Sequence, residues 1–159
     1  MTAAVRLEQL LGGLEGFGFE ITHREPEQAV LRRTDDDATY TLTADDSWVA
    51  AMQMIVEAGE LTVSKHAPAA IRFALELHGR YLGCRFGFDE DENLCVQYDV
   101  YPDMTAEHVA LALTQMAYVA ASTTPLFELV LAGGTVDDRL IERAFSNDSE
   151  DDDDGKLEN

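Results

Sequence analysis

Positive charge is what this sequence has least of. Eleven Lys and Arg stand against 31 Asp and Glu, a net charge of −20. A surface of that sign repels nucleic-acid phosphates and anionic lipid and attracts basic proteins, so direct binding to nucleic acid or membrane is not expected. The acidity is not confined to one end. Residues 148–159 hold seven acidic side chains and one lysine, or −6, which leaves −14 on the remainder. Such a charge also serves plain solubility. Long apolar runs are missing too: none approaches the roughly 18 residues that span a bilayer. Residues 1–6 carry one arginine and no signal-peptide core, which points to the cytoplasm. With only 4 prolines and 46% apolar residues, the chain is not globally disordered and can bury a real core.

Cysteine is almost as scarce. Cys84 and Cys95 form no CxxC, which removes the usual framework of a structural zinc site. The four histidines, His23, His66, His78 and His108, make no HxH, HxxxH or HExxH spacing, so no metal is expected. GxSxG, P-loop and GxGxxG signatures are absent; the glycines at 12, 13, 16 and 18 end a helix and do not follow a strand. Asp89-Glu-Asp-Glu-Asn93 begins like a calcium loop, but Leu94 and Val100 occupy the positions of the required glycine and bidentate glutamate. It reads as a hairpin turn. An enzyme would have to use Cys84 with His78 or His66, yet Cys84 falls among aromatic neighbours where a thiolate is disfavoured. Cys95 looks more accessible, with carboxylates nearby to raise its pKa. No catalytic residue and no cofactor are expected.

What the sequence does have is periodicity. Residues 84–88 and 94–100 alternate as two strands around the acidic turn, and pairing Phe88 with Leu94 puts Cys84, Phe86, Phe88, Leu94, Val96 and Tyr98 on one face. Arg85, Gly87, Cys95, Gln97 and Asp99 then face the other way, so the two thiols cannot bridge. Thr105 is placed to cap a helix with apolar residues at Val109, Ala112, Leu113, Met116, Val119 and Ala120. That stripe should cover the hairpin's apolar face. Pro125 after Thr124 predicts a kink or restart, and Thr135-Val-Asp-Asp138 offers a fresh cap for a short last helix carrying Leu140, Ile141, Ala144 and Phe145.

Upstream, Thr2 caps a helix with Ala4, Leu7, Leu10, Leu11 and Leu14 on one face, which Gly12, Gly13 and Gly16 fray and end. Strands are expected at 17–22, 29–33 and 39–43, with turns at 25–28 and 35–37. Residues 46–56 fit a helix striped by Trp48, Ala51, Met52 and Ile55. They fit equally a strand alternating Trp48, Ala50, Met52 and Met54 behind an Asp45-Asp46 hairpin. Pro68 opens a helix with Ile71, Ala74, Leu75, His78 and Tyr81 on one face and Phe73 and Leu77 off it. The fold class is therefore α+β: an antiparallel sheet flanked by helices, in the order helix, strands, helix, hairpin, long C-terminal helix. One domain is expected over 1–145, followed by a disordered acidic tail over 146–159.

This order, with Leu61-Thr-Val63, the helix from Ala67, the strands at 84–88 and 94–100, and Met104-Thr-Ala-Glu-His-Val109, resembles the YbjN-like family and its type III secretion chaperone-like fold. The resemblance covers about residues 3–132 and is carried by pattern rather than invariant chemistry. The Pro125 break, the added last helix and the acidic tail depart from it. It implies strand for 47–56 and a homodimer built on the helix from Pro68. It further implies a non-enzymatic, chaperone-like protein that holds partner proteins; family members are regarded as regulators of motility or stress responses. Ile71, Phe73, Ala74 and Leu77 are then the candidate dimer interface, unless all are core. Trp48, Met52 and Met54 are the candidate partner-binding residues, unless they too are ordinary sheet core. A basic or nucleic-acid-binding protein suits the charge as partner. The alternative function is a regulator that responds to a small ligand held between sheet and helix.

Overall fold

The computed structural model describes residues 2–45, 48–78, 80 and 83–146. Its first element is α1 (Ala3–Leu14), whose cap Thr2 accepts a hydrogen bond from the Val5 amide at 3.4 Å. Leu7, Leu10, Leu11 and Leu14 are buried at helical spacing. Each such leucine contributes on the order of 1.5–3 kcal/mol by leaving water. Contrary to expectation, Gly12 and Gly13 lie inside α1. The helix tightens into a 3-10 turn (Glu15–Phe17) and stops at Gly18, whose φ of +82° is the left-handed conformation that glycine adopts without strain.

Strands β1 (Phe19–Arg24), β2 (Gln28–Arg33), β3 (Thr39–Ala44) and β4 (Val49–Val56) follow. The first begins at Phe19 rather than at residue 17, because the 3-10 turn and Gly18 intervene. The ambiguous stretch is a strand, and its amide environment explains why. β4 pairs with β3 on one side and with the later strand at residues 94–100 on the other, so its backbone groups are satisfied laterally. The Asp45 amide donates to the Trp48 carbonyl at 2.9 Å and closes the β3–β4 connection; Asp46 lies outside the described residues.

A short helix α2 (Ala58–Val63) precedes α3 (Ala67–Leu77), which has its proline in the first turn as expected. The hairpin β5 (Cys84–Phe88) and β6 (Leu94–Val100) has the anticipated register, with Phe88 opposite Leu94. Its turn is held by the Asp89 carboxylate, which accepts from the Asp91 and Asn93 amides at 3.0 and 2.9 Å. All neighbouring pairs are antiparallel in the six-stranded order β1-β2-β3-β4-β6-β5.

Helix α4 (Ala106–Leu131) starts at Thr105, where the Thr105 side chain accepts from the His108 amide at 3.3 Å in a reciprocal capping box. It crosses the apolar sheet face as expected, burying Val109, Leu113, Met116 and Val119. The expected restart at Pro125 does not occur. Thr124 is no cap; the helix runs through, and the Thr123 and Thr124 hydroxyls donate to the Val119 and Ala120 carbonyls at 2.7 and 2.8 Å in the turn before the proline. The last helix, α5 (Asp138–Phe145), is capped by Asp137, whose side chain accepts from the Leu140 amide at 2.9 Å.

One continuous core joins these elements. On the sheet it consists of Leu31, Tyr40, Leu42, Val49, Ala51 and Val96; above them lie α1 and α4, with α3 beside α4 against β5. Phe127 of α4 sits between Phe73 of α3 and Phe86 of β5, with ring centroids 5.0 and 5.9 Å away. The buried stripe of α3 is Ala70, Phe73, Ala74 and Leu77. The expected stripe is wrong by about one residue, roughly 100° of helix rotation: Ile71, Leu75 and His78 face outward. Tyr81 and the acidic tail from 147 onward lie outside the described residues.

Candidate functional site

The other face of the sheet carries a different set of side chains. β3 presents Thr39, Thr41 and Thr43; β4 presents Ala50, Met52 and Met54; β6 presents Cys95, Gln97 and Asp99; β5 presents Arg85 and Gly87. Their common orientation follows from strand periodicity. Met52 stands opposite Thr41 on one side and Gln97 on the other, and Gln97 stands opposite Arg85. Most of these residues are half-buried or exposed, Met54 at 49% and Trp48 at 38%.

Two adjoining hollows, of about 510 and 560 Å³, lie on this face and share Gln28, Thr43, Met52 and Glu90. Arg85 organises the floor. Its guanidinium grips Asp99 through two bonds of 2.9 and 2.8 Å, its Nε donates to Gln97 Oε1 at 3.2 Å, and its Cζ lies 5.6 Å from the centre of the Trp48 ring. Trp48 in turn donates its indole N–H to Asp45 at 3.2 Å. Gln97 donates to the Phe88 carbonyl at 3.2 Å and reaches the Met52 sulfur at 3.7 Å. Its side chain leans over Gly87, where a Cβ would stand 2.7 Å from Gln97 Oε1. The one arginine of the floor is thus matched by Asp99. Thr43 lines both hollows, while its hydroxyl is buried and has no hydrogen-bond partner among the described residues. The rim bears Glu27, Glu90 and Asp91, none in an ion pair among the described residues.

Trp48, Met52 and Met54, the three candidate partner-binding residues, are brought together here, outside the core of the chain. The candidate dimer residues are divided. Phe73, Ala74 and Leu77 are buried inside the single chain, whereas Ile71 is on the surface beside Leu75, which is 68% exposed. Sequence reasoning assigned Arg85, Gln97 and Asp99 to one face but missed their linkage to Trp48. That linkage needs β6 between β4 and β5, an order that alternation within one hairpin does not encode.

The thiols occupy opposite faces as expected. Burial pushes Cys84 up to about 11. Cys95 is not the more accessible of the two. The Asp89–Asn93 turn folds over it, leaving it 1% exposed, with Asp89 Oδ2 3.7 Å from its sulfur. Burial first, then the Asp89 charge, pushes it up to about 12. Neither is a thiolate near neutral pH. Among the described residues, no group of three or more His, Cys, Asp or Glu side chains is arranged to hold a metal ion. None of their helices is long and apolar enough to cross a membrane.

No family model, curated protein or solved structure matches the chain.

Proposed function

We propose that this protein is a non-enzymatic, chaperone-like or adaptor protein that holds a partner protein on the open face of its sheet. The reading is supported above all by Trp48, Met52 and Met54, which stand together on the face opposite α1 and α4. Flexible thioethers beside a large aromatic make a surface that adapts to varied apolar side chains. The pattern resemblance to the YbjN-like and secretion chaperone-like proteins points the same way. The test is affinity capture with the wild-type chain and the Met54→Glu variant, whose folding is checked by circular dichroism. A partner retained by the first and lost by the second supports the proposal. A partner held equally by both refutes this location for the site.

The same resemblance leads us to propose a homodimer. Of the large apolar residues of α3, Ile71 and Leu75 remain on the outside to form it, since Phe73 and Leu77 are buried within the chain. Leu75→Glu should convert a dimer to a monomer in sedimentation velocity while circular dichroism shows the fold retained. A wild-type chain that sediments as a monomer at high concentration refutes the dimer.

A further inference from the structure

Resting on the sheet-face reading above, we infer that the occupant of this face is an extended, cationic segment of a partner protein, with arginine or lysine alternating with apolar residues. Two features of the face argue for it. First, the floor is electrically closed. Arg85 is fixed by both Asp99 oxygens and by Gln97, so it has no remaining fork to offer an incoming carboxylate or phosphate. Second, the charge left over is negative and stands on the rim. Glu27 comes from the β1–β2 turn and Glu90 from the β5–β6 turn, so carboxylates flank the hollows from two separate loops. A segment lying between them meets apolar Met52 and Ala50 below and negative charge at the sides.

The alternatives fit less well. A nucleic acid or anionic ligand meets the rim with the wrong sign. A second copy of this chain would bring two acidic rims together. An alternating segment matches the surface because successive side chains of an extended chain point to opposite sides.

The test uses the full chain and two fluorescein-labelled peptides, one of Arg-Leu-Ser repeats and one of Gln-Leu-Ser repeats, followed by anisotropy. The arginine peptide should bind more tightly than the glutamine peptide. The pair Glu27→Gln and Glu90→Gln should weaken it about five-fold, the scale of two exposed ion pairs. Glu76→Gln with Glu128→Gln removes the same charge from the outer surfaces of α3 and α4 and should leave affinity nearly unchanged. Met52→Ala should weaken both peptides. Equal losses in the two glutamate pairs, or no loss in either, would mean that net charge or the acidic tail captures the peptide, and would overturn the inference. Equal affinity for both peptides with sensitivity to Met52→Ala would overturn the cationic preference while leaving the sheet-face reading intact. Indifference of both peptides to Met52→Ala would remove the sheet-face reading itself. A dimer that the arginine peptide dissolves and Met52→Ala also dissolves would identify a second copy as the occupant.

Discussion

Gly12 and Gly13 are neighbours in α1, and alanine should affect them with opposite signs. Nothing lies within 4 Å of a Cβ built on Gly12, so Gly12→Ala should gain the ordinary helix-interior advantage of about 0.5–1 kcal/mol. A Cβ on Gly13 would stand 2.4 Å from the Cβ of Ala106, the first residue of α4. Neither atom sits at the end of a flexible chain, so the helices themselves must part. Overpacking of that kind costs about 1–3 kcal/mol, which outweighs the propensity gain. Urea melts of the two variants check this; stabilisation by Gly13→Ala would mean that α1 and α4 do not approach at this point. The thiols give a second residue-scale expectation. Cys84, Cys95 and Tyr40, pushed up to about 11, 12 and 12, all ionise later in the folded chain than in the unfolded one. They stabilise the fold fully below the unfolded values of 9.0 and 10.0, and that contribution is lost as pH rises through those values toward the folded ones. Tm should therefore fall above about pH 9, less steeply in Cys95→Ala, and iodoacetamide at neutral pH should label the native thiols only as fast as the chain opens. Rapid stoichiometric labelling would contradict the burial of both.

At the scale of elements, Pro125 is the clearest conflict between local preference and the fold. A helix-interior proline costs about 3 kcal/mol through its missing N–H and its clash with the carbonyl four residues back. Helix α4 nevertheless continues, because Leu126, Phe127 and Val130 beyond the proline are buried in the same core as Val109 to Ala120. Pro125 itself is exposed, so Pro125→Ala should keep the fold and raise stability by about 1 kcal/mol or more, part of the gain being offset by a more flexible unfolded chain. A loss of stability in a urea melt would mean that the chain needs a break there. The same comparison explains what could be read beforehand. The β5–β6 register, the Thr105 cap and the stripe of α4 were legible because each rests on residues near one another in sequence. The β4 strand was not, since Trp48, Ala51, Met52 and Ile55 satisfy a helical period while Trp48, Ala50, Met52 and Met54 satisfy a strand period; pairing with β3 and the distant β6 decides. The face of α3 was misread because its buried stripe includes the small Ala70, while Ile71 and Leu75 on the outer side look more apolar. For the site, Trp48, Met52 and Met54 could be named, but the rim formed by Glu27 and Glu90 depends on two turns far apart in the chain.

The whole molecule carries a charge of −20, and its ion pairs do little to offset it. Of the described pairs, Arg24–Glu8, Arg32–Glu20 and Arg80–Asp138 are all substantially exposed. Pairs of that kind are worth a few tenths of a kcal/mol and are weakened by salt. Repulsion among the unmatched carboxylates has the opposite salt dependence. It acts across the whole surface, and the Debye length of about 8 Å at 0.15 M ionic strength shortens further as salt is added. With 31 acidic residues against 11 basic ones, relief of repulsion outweighs the loss of these few exposed attractions. Tm should therefore rise by several degrees when NaCl is taken from about 0.01 to 0.5 M, before any ion-specific effect at higher concentration. Affinity for the arginine peptide should fall over the same range, because that contact is itself an attraction between opposite charges. The opposed trends separate the two roles of the acidity. A Tm that falls together with affinity would mean that local ion pairs, rather than the overall negative field, govern the stability of the fold.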